Sequence, residues 1–482
     1  MTARRLPPRR LSTSAPAAQG VDASGVHAFL DALEADPGIE PHGLMILRHD
    51  HVVASGWWAP YTPDRLHLLY SLSKSFTATA VGLAAGEGLL GLDDPVISYF
   101  PEFDADITDP RSRAMLVRHV ASMASGHLEE TYERAHALDP HELVRGFLLL
   151  PPDRDPGSVF AYSQPTTYTL AAIIERVTGQ SVSAYLRPRL LDPLGIGEVA
   201  WTRDRAGREL GFSGLHATTD AIARLGLLYL RDGVWEGERL LPDGWVAEAT
   251  SVHVANDDGT LPDWRQGYGF QFWRSRHGYR GDGAYGQYCL VLPEHDVVVA
   301  MTSASEDMQA VLDLAWEHLL PAFGPEPLPG RQEEDAALAE RMGRLALPPA
   351  PGKPAPPDRV EAWSGAEFTP DDVVRRTLRA LTEARVSADG EGWCLTLVED
   401  GHRLDLPFGL GGWTVTEEPV PVASDGGWTD AGTLVVDLAC LETPHHLVVT
   451  CSLTDRTFTA RWSTQPLHGG RIRSMKAPRG SV

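Results

Sequence analysis

Lysine is nearly absent from this chain. Of 42 basic residues only Lys74, Lys353 and Lys476 are lysines, and Lys74 stands alone ahead of Lys353. Cysteine is almost as scarce: the four residues Cys289, Cys394, Cys440 and Cys451 exclude a disulfide scaffold and do not have zinc-pair spacing. Cys440 and Cys451 are placed to face each other across a hairpin, but without an export signal all four thiols are expected to be reduced. No apolar run approaches the ~18–20 residues that span a bilayer. The opening MTARRLPPRRLSTSAPAAQG is basic but lacks an apolar core, so it does not read as a secretory signal, and a cytoplasmic location is expected. Positive charge is in deficit. The net charge of −23 argues against nucleic acid and against anionic membranes as partners. No phosphate-binding loop, dinucleotide fingerprint or EF-hand is present, and no cofactor is expected.

What is present divides along the chain. A length of 482 residues suggests more than one core. Residues 1–24 read as a flexible tail. LMILRHDHVVASGWW (44–58) reads as a hairpin turning at His49-Asp50. Residues 71–86 are apolar nearly all round and predict a buried central helix. Further helices are expected at 140–149, 165–178, 217–231 and 307–322, and strands at 267–273 and 286–303. Strands at both ends of a helical middle predict one antiparallel sheet flanked by helices, an α/β (α+β) domain over 25–323. Proline-rich stretches at 324–330 and 348–357 enclose a short helix (331–346), a linker over 324–358. Short strands then fill 359–482 as an all-β meander or barrel.

The scarcity of lysine makes YSLSKS conspicuous. Arginine does not release its proton in a protein, whereas a desolvated lysine can. Residues three apart share a helix face, so Lys74 lies beside Ser71. A serine hydroxyl is a weak nucleophile without an adjacent base, and a lysine whose pKa is lowered by burial can serve as one. The plain alternative is that Ser71 caps the helix and Lys74 reaches solvent.

The segment YSLSKSFTATAVGLAAGEGLLGLDDPV resembles the nucleophile helix of serine β-lactamase-like and penicillin-binding-protein-like hydrolases. The branch in question holds class C β-lactamases, family VIII esterases, D-amino-acid peptidases and 6-aminohexanoate-dimer hydrolase. VRHVASMASGH (117–127), the segment 156–197, GFSGLHATTDAIARLGLLYLRDGVW (211–235) and RGDGAYGQYCLVLPEHDVVVAMTS (280–303) continue the resemblance in order. It implies a β-lactamase-like fold. It implies Ser71 as nucleophile, Lys74 as its partner and Tyr162, in Y-S-Q, as the second proton carrier. Beside an ammonium, Tyr162 is expected to have a lowered pKa and to titrate as a pair with Lys74. Gln164 stands where the family has asparagine and is expected to donate to a substrate carbonyl. By the same analogy the N–H groups of Ser71 and Ala284 form the oxyanion hole.

The third motif departs from its relatives. It reads Arg280, Gly281, Asp282, Gly283, and the cationic position falls on Gly281. Arg280 replaces that cation only if the strand rotates or slips by one. The loss disfavours β-lactams and peptide carboxylates. Asp282, Gly283, Ala284 and Tyr285 are expected along the pocket wall. His49-Asp50-His51 and His445-His446 are read as exposed turns, Trp57-Trp58 as core, and Tyr268, Phe270 and Trp273 as strand packing; no metal site is expected.

The chain is therefore expected to be a hydrolase working through an acyl-serine on a small ester or amide. Esterase comes first. A 6-aminohexanoate-dimer-type amidase and an acyl-transferase or cyclase resembling penicillin-binding-protein-like thioesterases follow. A non-catalytic binding protein on the same fold is the rival. A homodimer is left open.

Overall fold

A computed structural model describes residues 10–256, 261–352, 360–389 and 392–479. The chain divides into two compact units. One comprises Met1–Gly56, Leu68–Gly343 and Pro478–Val482, and the other Trp57–His67 and Arg344–Ala477.

The first unit is organised by two apolar stretches from opposite ends of its sequence. Its sheet strands are β1 (Ser12–Thr13), β2 (Pro41–Arg48), β3 (His51–Trp57), β4 (Trp273–Arg274), β5 (Tyr279–Gly283), β6 (Gln287–Leu292) and β7 (Val297–Ser303), in the spatial order β1-β3-β2-β7-β6-β5-β4. β2 and β7 are buried along their whole length and pair antiparallel, Ile46 opposite Val299 and Leu44 opposite Met301. Such continuous apolar runs suit strands covered on both faces. His49 and Asp50 form the expected turn with φ of 47° and 65°, the left-handed pair that a two-residue hairpin loop requires. The unit's principal helices are α1 (Ala23–Ala35), α2 (Ser73–Gly86), α3 (Gln164–Thr178), α4 (Thr219–Leu230) and α5 (Gln332–Met342). Every residue of α2 from Ser73 to Ala84 is buried, as its apolar circumference predicts.

Several elements differ from expectation, each for a local reason. Residues 10–24 are placed, not a tail: β1 pairs parallel with β3, Val21 is buried, and the Asp22 side chain caps α1 at the Ser24 N–H. The stretch 267–273 does not form a continuous strand. Gln271 takes φ of 60°, which breaks the extended run and leaves only Trp273–Arg274 in the sheet. The helix of the expected linker is α5, which packs on α1 within the first unit, with Arg341 paired to Asp31 and Glu34. Residues 57–67 belong with the second unit: the N–H of Ala59 donates to the Leu345 carbonyl, the N–H of Leu347 donates back to Ala59, and Arg65 pairs with Glu417.

The second unit is a nine-stranded, nearly closed sheet running from Ala366–Pro370 to Thr457–Trp462, antiparallel except where those two strands pair in parallel. Gly409, just past one edge strand, bridges Asp425 near the opposite edge, which brings the sheet close to closure. Trp428 is fully buried in the interior, with Trp393 at 4.8 Å and Trp363 at 6.0 Å between ring centroids. His445 and His446 are buried at the start of strand His445–Ser452, not in an exposed turn, because pairing with Cys440 and Ala439 already begins there. The same register places Cys451 opposite Leu434, away from Cys440, and all four thiols are free. Among the described residues no helix is long and apolar enough to cross a membrane.

Trp428→Ala removes the largest side chain at the centre of this interior and is expected to cost about 3–5 kcal/mol in urea unfolding of the second unit. A cost below about 1 kcal/mol would mean that the interior is not packed as described.

Candidate active site

The turn that carries Ser71 is set by its neighbours. Tyr70–Leu72 form a 3₁₀ turn, and α2 begins only at Ser73, two residues later than the sequence suggests. Tyr70 adopts φ of 47°, and the Ser73 hydroxyl donates to its carbonyl at 2.5 Å while accepting from the N–H of Leu215 at 3.0 Å. The chain is thus folded back immediately before Ser71, which stays partly exposed while the helix behind it is buried. Across this junction Lys74 Nζ lies 3.1 Å from Ser71 Oγ, so the i, i+3 neighbours meet as expected.

Lys74 is 1% exposed. Its amine also donates to Gln164 Oε1 at 2.7 Å and to the Phe212 carbonyl at 2.8 Å. Burial lowers its pKa from 10.5 to about 7, and the carboxylates of Glu130 and Asp282 restrain the fall. A neutral amine keeps two of these donor bonds, to Gln164 and Phe212, and turns its lone pair toward the serine hydroxyl. That arrangement can accept a proton from Ser71 near neutral pH.

Tyr162 completes the cluster. Its hydroxyl shares a hydrogen bond with Ser71, and Lys74 Nζ lies 4.7 Å from its ring centroid. The expectation of a lowered pKa is overturned. Desolvation comes first and the Asp282 carboxylate second, and together they push the phenol well above 10 despite the nearby amine. Gln164 begins α3, and the Glu130 carboxylate accepts its backbone N–H at 3.0 Å, a charge-favoured cap on a helix N-terminus. With Oε1 committed to Lys74, the side-chain amide N–H groups of Gln164 are its remaining donors.

The third-motif strand is regular. β5 pairs with β6 from Tyr279 opposite Val291 to Gly283 opposite Gln287, without a slip. Residues alternate across it, so Gly281 and Gly283 face the nucleophile turn. A Cβ on Gly281 would meet Leu72 and Ser75 at 2.5 Å, and one on Gly283 would lie 2.0 Å from the Leu69 carbonyl oxygen. Arg280 and Asp282 therefore point the other way. Arg280 is fully buried, donates to Asp282 at 2.9 Å, to Ser275 Oγ and to the Asp263 carbonyl, and packs over Trp264 and Trp273. It does not stand in for the missing cation, because neither the rotation nor the slip that this required is present. Ala284 and Tyr285 are partly exposed in the turn that follows; Gln287 ties this turn down by donating to the carbonyls of both.

The sequence does not mark four residues near the site as site residues. Phe212 supplies the Lys74 acceptor through its backbone, which no side-chain pattern announces. Glu130 lies just past the 117–127 segment and caps α3. Trp273, read as strand packing, stacks on Tyr162 at 5.3 Å and 17°. Gln271 accepts from Ser75 and Thr167 and donates to the Ala121 carbonyl, joining the nucleophile helix to α3 and to the segment before the Ser125-Gly126-His127 turn. Past Phe212 opens a cleft of about 530 Å³ whose wall includes Tyr132, His136, Leu143, Tyr168 and Leu210.

Comparison with known proteins gives a family model, Beta-lactamase, that matches residues 26–322. The chain is 28% identical over 289 residues to a 6-aminohexanoate-dimer hydrolase of Paenarthrobacter ureafaciens, covering 55% of this chain and 72% of that protein. It is 29% identical over 209 residues to Esterase EstB of Burkholderia gladioli, covering 38% and 53%. A solved structure of a candidate 6-aminohexanoate-dimer hydrolase from Bacillus anthracis superposes with a TM-score of 0.54 at 19% identity, covering 67% of this chain and 89% of that one; it shares the fold.

Two outcomes are expected of the site. The neutral amine of Lys74 is lost as pH falls through about 7, so kcat/KM should decline on the acid side with an apparent midpoint near that value; a rate flat from about pH 5 to 8 would contradict this assignment. Gly283→Ala forces a methyl against the Leu69 backbone and should cost about 1–3 kcal/mol in unfolding, with activity falling alongside. Wild-type stability in that variant would show that the strand has room to spare.

Proposed function

The chain belongs to the beta-lactamase family, and from that premise we propose that it is a serine hydrolase cleaving a carboxylic ester through an acyl-Ser71 intermediate. The observation that carries this reading is the contact between Ser71 and a buried lysine whose pKa is about 7. In this mechanism Lys74 takes the Ser71 proton as Oγ attacks the carbonyl carbon. The N–H groups of Ser71 and Ala284 hold the developing oxyanion. Tyr162 gives its proton to the leaving oxygen as the ester bond breaks, and the proton held on Lys74 returns to the phenolate. Water then attacks the acyl-serine, with the same groups acting in reverse.

The substrate class follows from charge. Two carboxylates, Glu130 and Asp282, act on Lys74 and Tyr162, and the Arg280 guanidinium, which acts on Tyr162 as well, is buried against Asp282. The third-motif position that carries a cation in relatives is Gly281 here, which supports neutral esters over β-lactams. The cleft beside Phe212, with its aromatic wall, has the size to take an acyl chain. An amide substrate is the second reading. A tyrosine that holds its proton well above neutral pH is suited to an amine leaving group, which must be protonated as it departs.

Ser71→Ala should abolish turnover of p-nitrophenyl esters and remove the acyl adduct from the intact mass; retained turnover would sink the proposal. Leu210→Trp, which fills the cleft, should lower kcat/KM for p-nitrophenyl octanoate at least about 10-fold more than for the acetate. Equal effects on both esters would place the acyl chain elsewhere.

A further inference from the structure

The buried Arg280–Asp282 pair on β5 lies beside Tyr162 as well as tying loops together. Taking a guanidinium and a carboxylate out of water carries a desolvation cost that their mutual attraction offsets only with good geometry and full hydrogen bonding. Here one guanidinium nitrogen, Nη2 of Arg280, has no hydrogen-bond partner among the described residues. What the pair does have is an ordered set of contacts leading to Tyr162. Arg280 lies across the faces of Trp264 at 4.3 Å and Trp273 at 5.7 Å and donates to Asp282. Asp282 takes a second hydrogen bond from the Trp273 indole. Trp273, with its N–H fixed at one end and Phe160 and Tyr268 packed edgewise against it, lies nearly parallel to the Tyr162 ring. Tyr268 meets that ring edge-on at 89°.

We propose that Trp273 is a positioning residue for Tyr162, with the Arg280–Asp282 pair acting as the clamp that fixes the indole. The proposal rests on the serine-hydrolase reading above. A phenol delivers a proton only within hydrogen-bond reach of its acceptor, and a ring free to swing about its χ angles would leave the leaving atom unserved for part of the time. Tyr162 is tethered at its hydroxyl by Ser71, the same atom that departs from it on acylation. Once Oγ becomes the ester oxygen, the ring must be held by contacts that do not change during the reaction, and Trp273 supplies them. The third-motif strand therefore serves catalysis from its far face, through an aromatic plate, in place of a side chain that meets the substrate.

The balance of protons makes the idea testable. The phenol proton passes to the leaving oxygen as the bond to the carbonyl carbon breaks, so the need for Tyr162 grows as the leaving group becomes more basic. The experiment is a series of phenyl butyrates, from p-nitrophenyl to p-methoxyphenyl, with the full-length wild type, Trp273→Ala and the milder Trp273→Phe. Fluorophosphonate labelling of Ser71 is run alongside. We expect Trp273→Ala to lose a few-fold in kcat/KM on the p-nitrophenyl ester and about 100-fold on the p-methoxyphenyl ester, chiefly in kcat. Trp273→Phe, which keeps a ring but not the N–H, should fall between, and it carries the test if the alanine variant does not fold. A loss of the same size along the whole series, or no loss, with Ser71 still labelled, overturns the positioning role alone. Failure of the wild type to be labelled or to turn over any of the esters overturns the hydrolase reading and this proposal with it.

Discussion

One desolvated amine organises the first unit. Lys74 is removed from water by α2, which is buried along nearly its whole length, and by the Phe212 segment. Placing an ammonium there is expensive, so the group either finds partners or gives up its charge. It does some of each. Ser71, Gln164 and Phe212 accept its hydrogen bonds from three separate parts of the chain, while burial draws its pKa down to about 7. An arginine in the same position would keep its proton and could not act as a base. The isolation of this lysine among arginines fits the role proposed for it.

The same desolvation acts in the opposite sense on its neighbour. Burial disfavours the charged form of either group, so it drives the lysine toward a neutral base and holds the tyrosine as a neutral acid. Asp282 sharpens the separation for the phenol and moderates it for the amine. In the proposed mechanism, two proton carriers with divergent affinities, both in contact with one serine hydroxyl, divide the work of acylation: one takes the proton, the other gives it. Had a free cation stood where Gly281 stands, it would have lowered the phenol and blurred this division.

Much of this was legible in the sequence, and the exceptions have physical reasons. The Ser71–Lys74 contact follows from the spacing of residues three apart, and the hairpin at His49-Asp50 and one antiparallel sheet built from both ends of the first unit follow from the strand patterns. What could not be read depends on contacts distant in sequence. The orientation of Arg280 hinges on strand alternation, which requires the register of β5 to be known. The Tyr162 pKa depends first on its burial and then on Asp282, 120 positions away, neither of which the local sequence shows. Trp273 looks like any strand aromatic until its plane against Tyr162 is seen. Residues 10–24 were missed because a two-residue strand leaves no periodicity, and His445-His446 because strand pairing begins one position earlier than the turn residues suggest.

The most direct test of the account is the titration of Lys74 itself. With three lysines in the chain, [ε-¹³C]lysine labelling gives a spectrum simple enough to assign with a Lys74→Arg variant. The account predicts one resonance that titrates with a midpoint near 7 and disappears in the variant. A Lys74 midpoint near the ordinary lysine value of about 10.4 would mean that it remains an ammonium at neutral pH, and the proposed base for Ser71 would be lost.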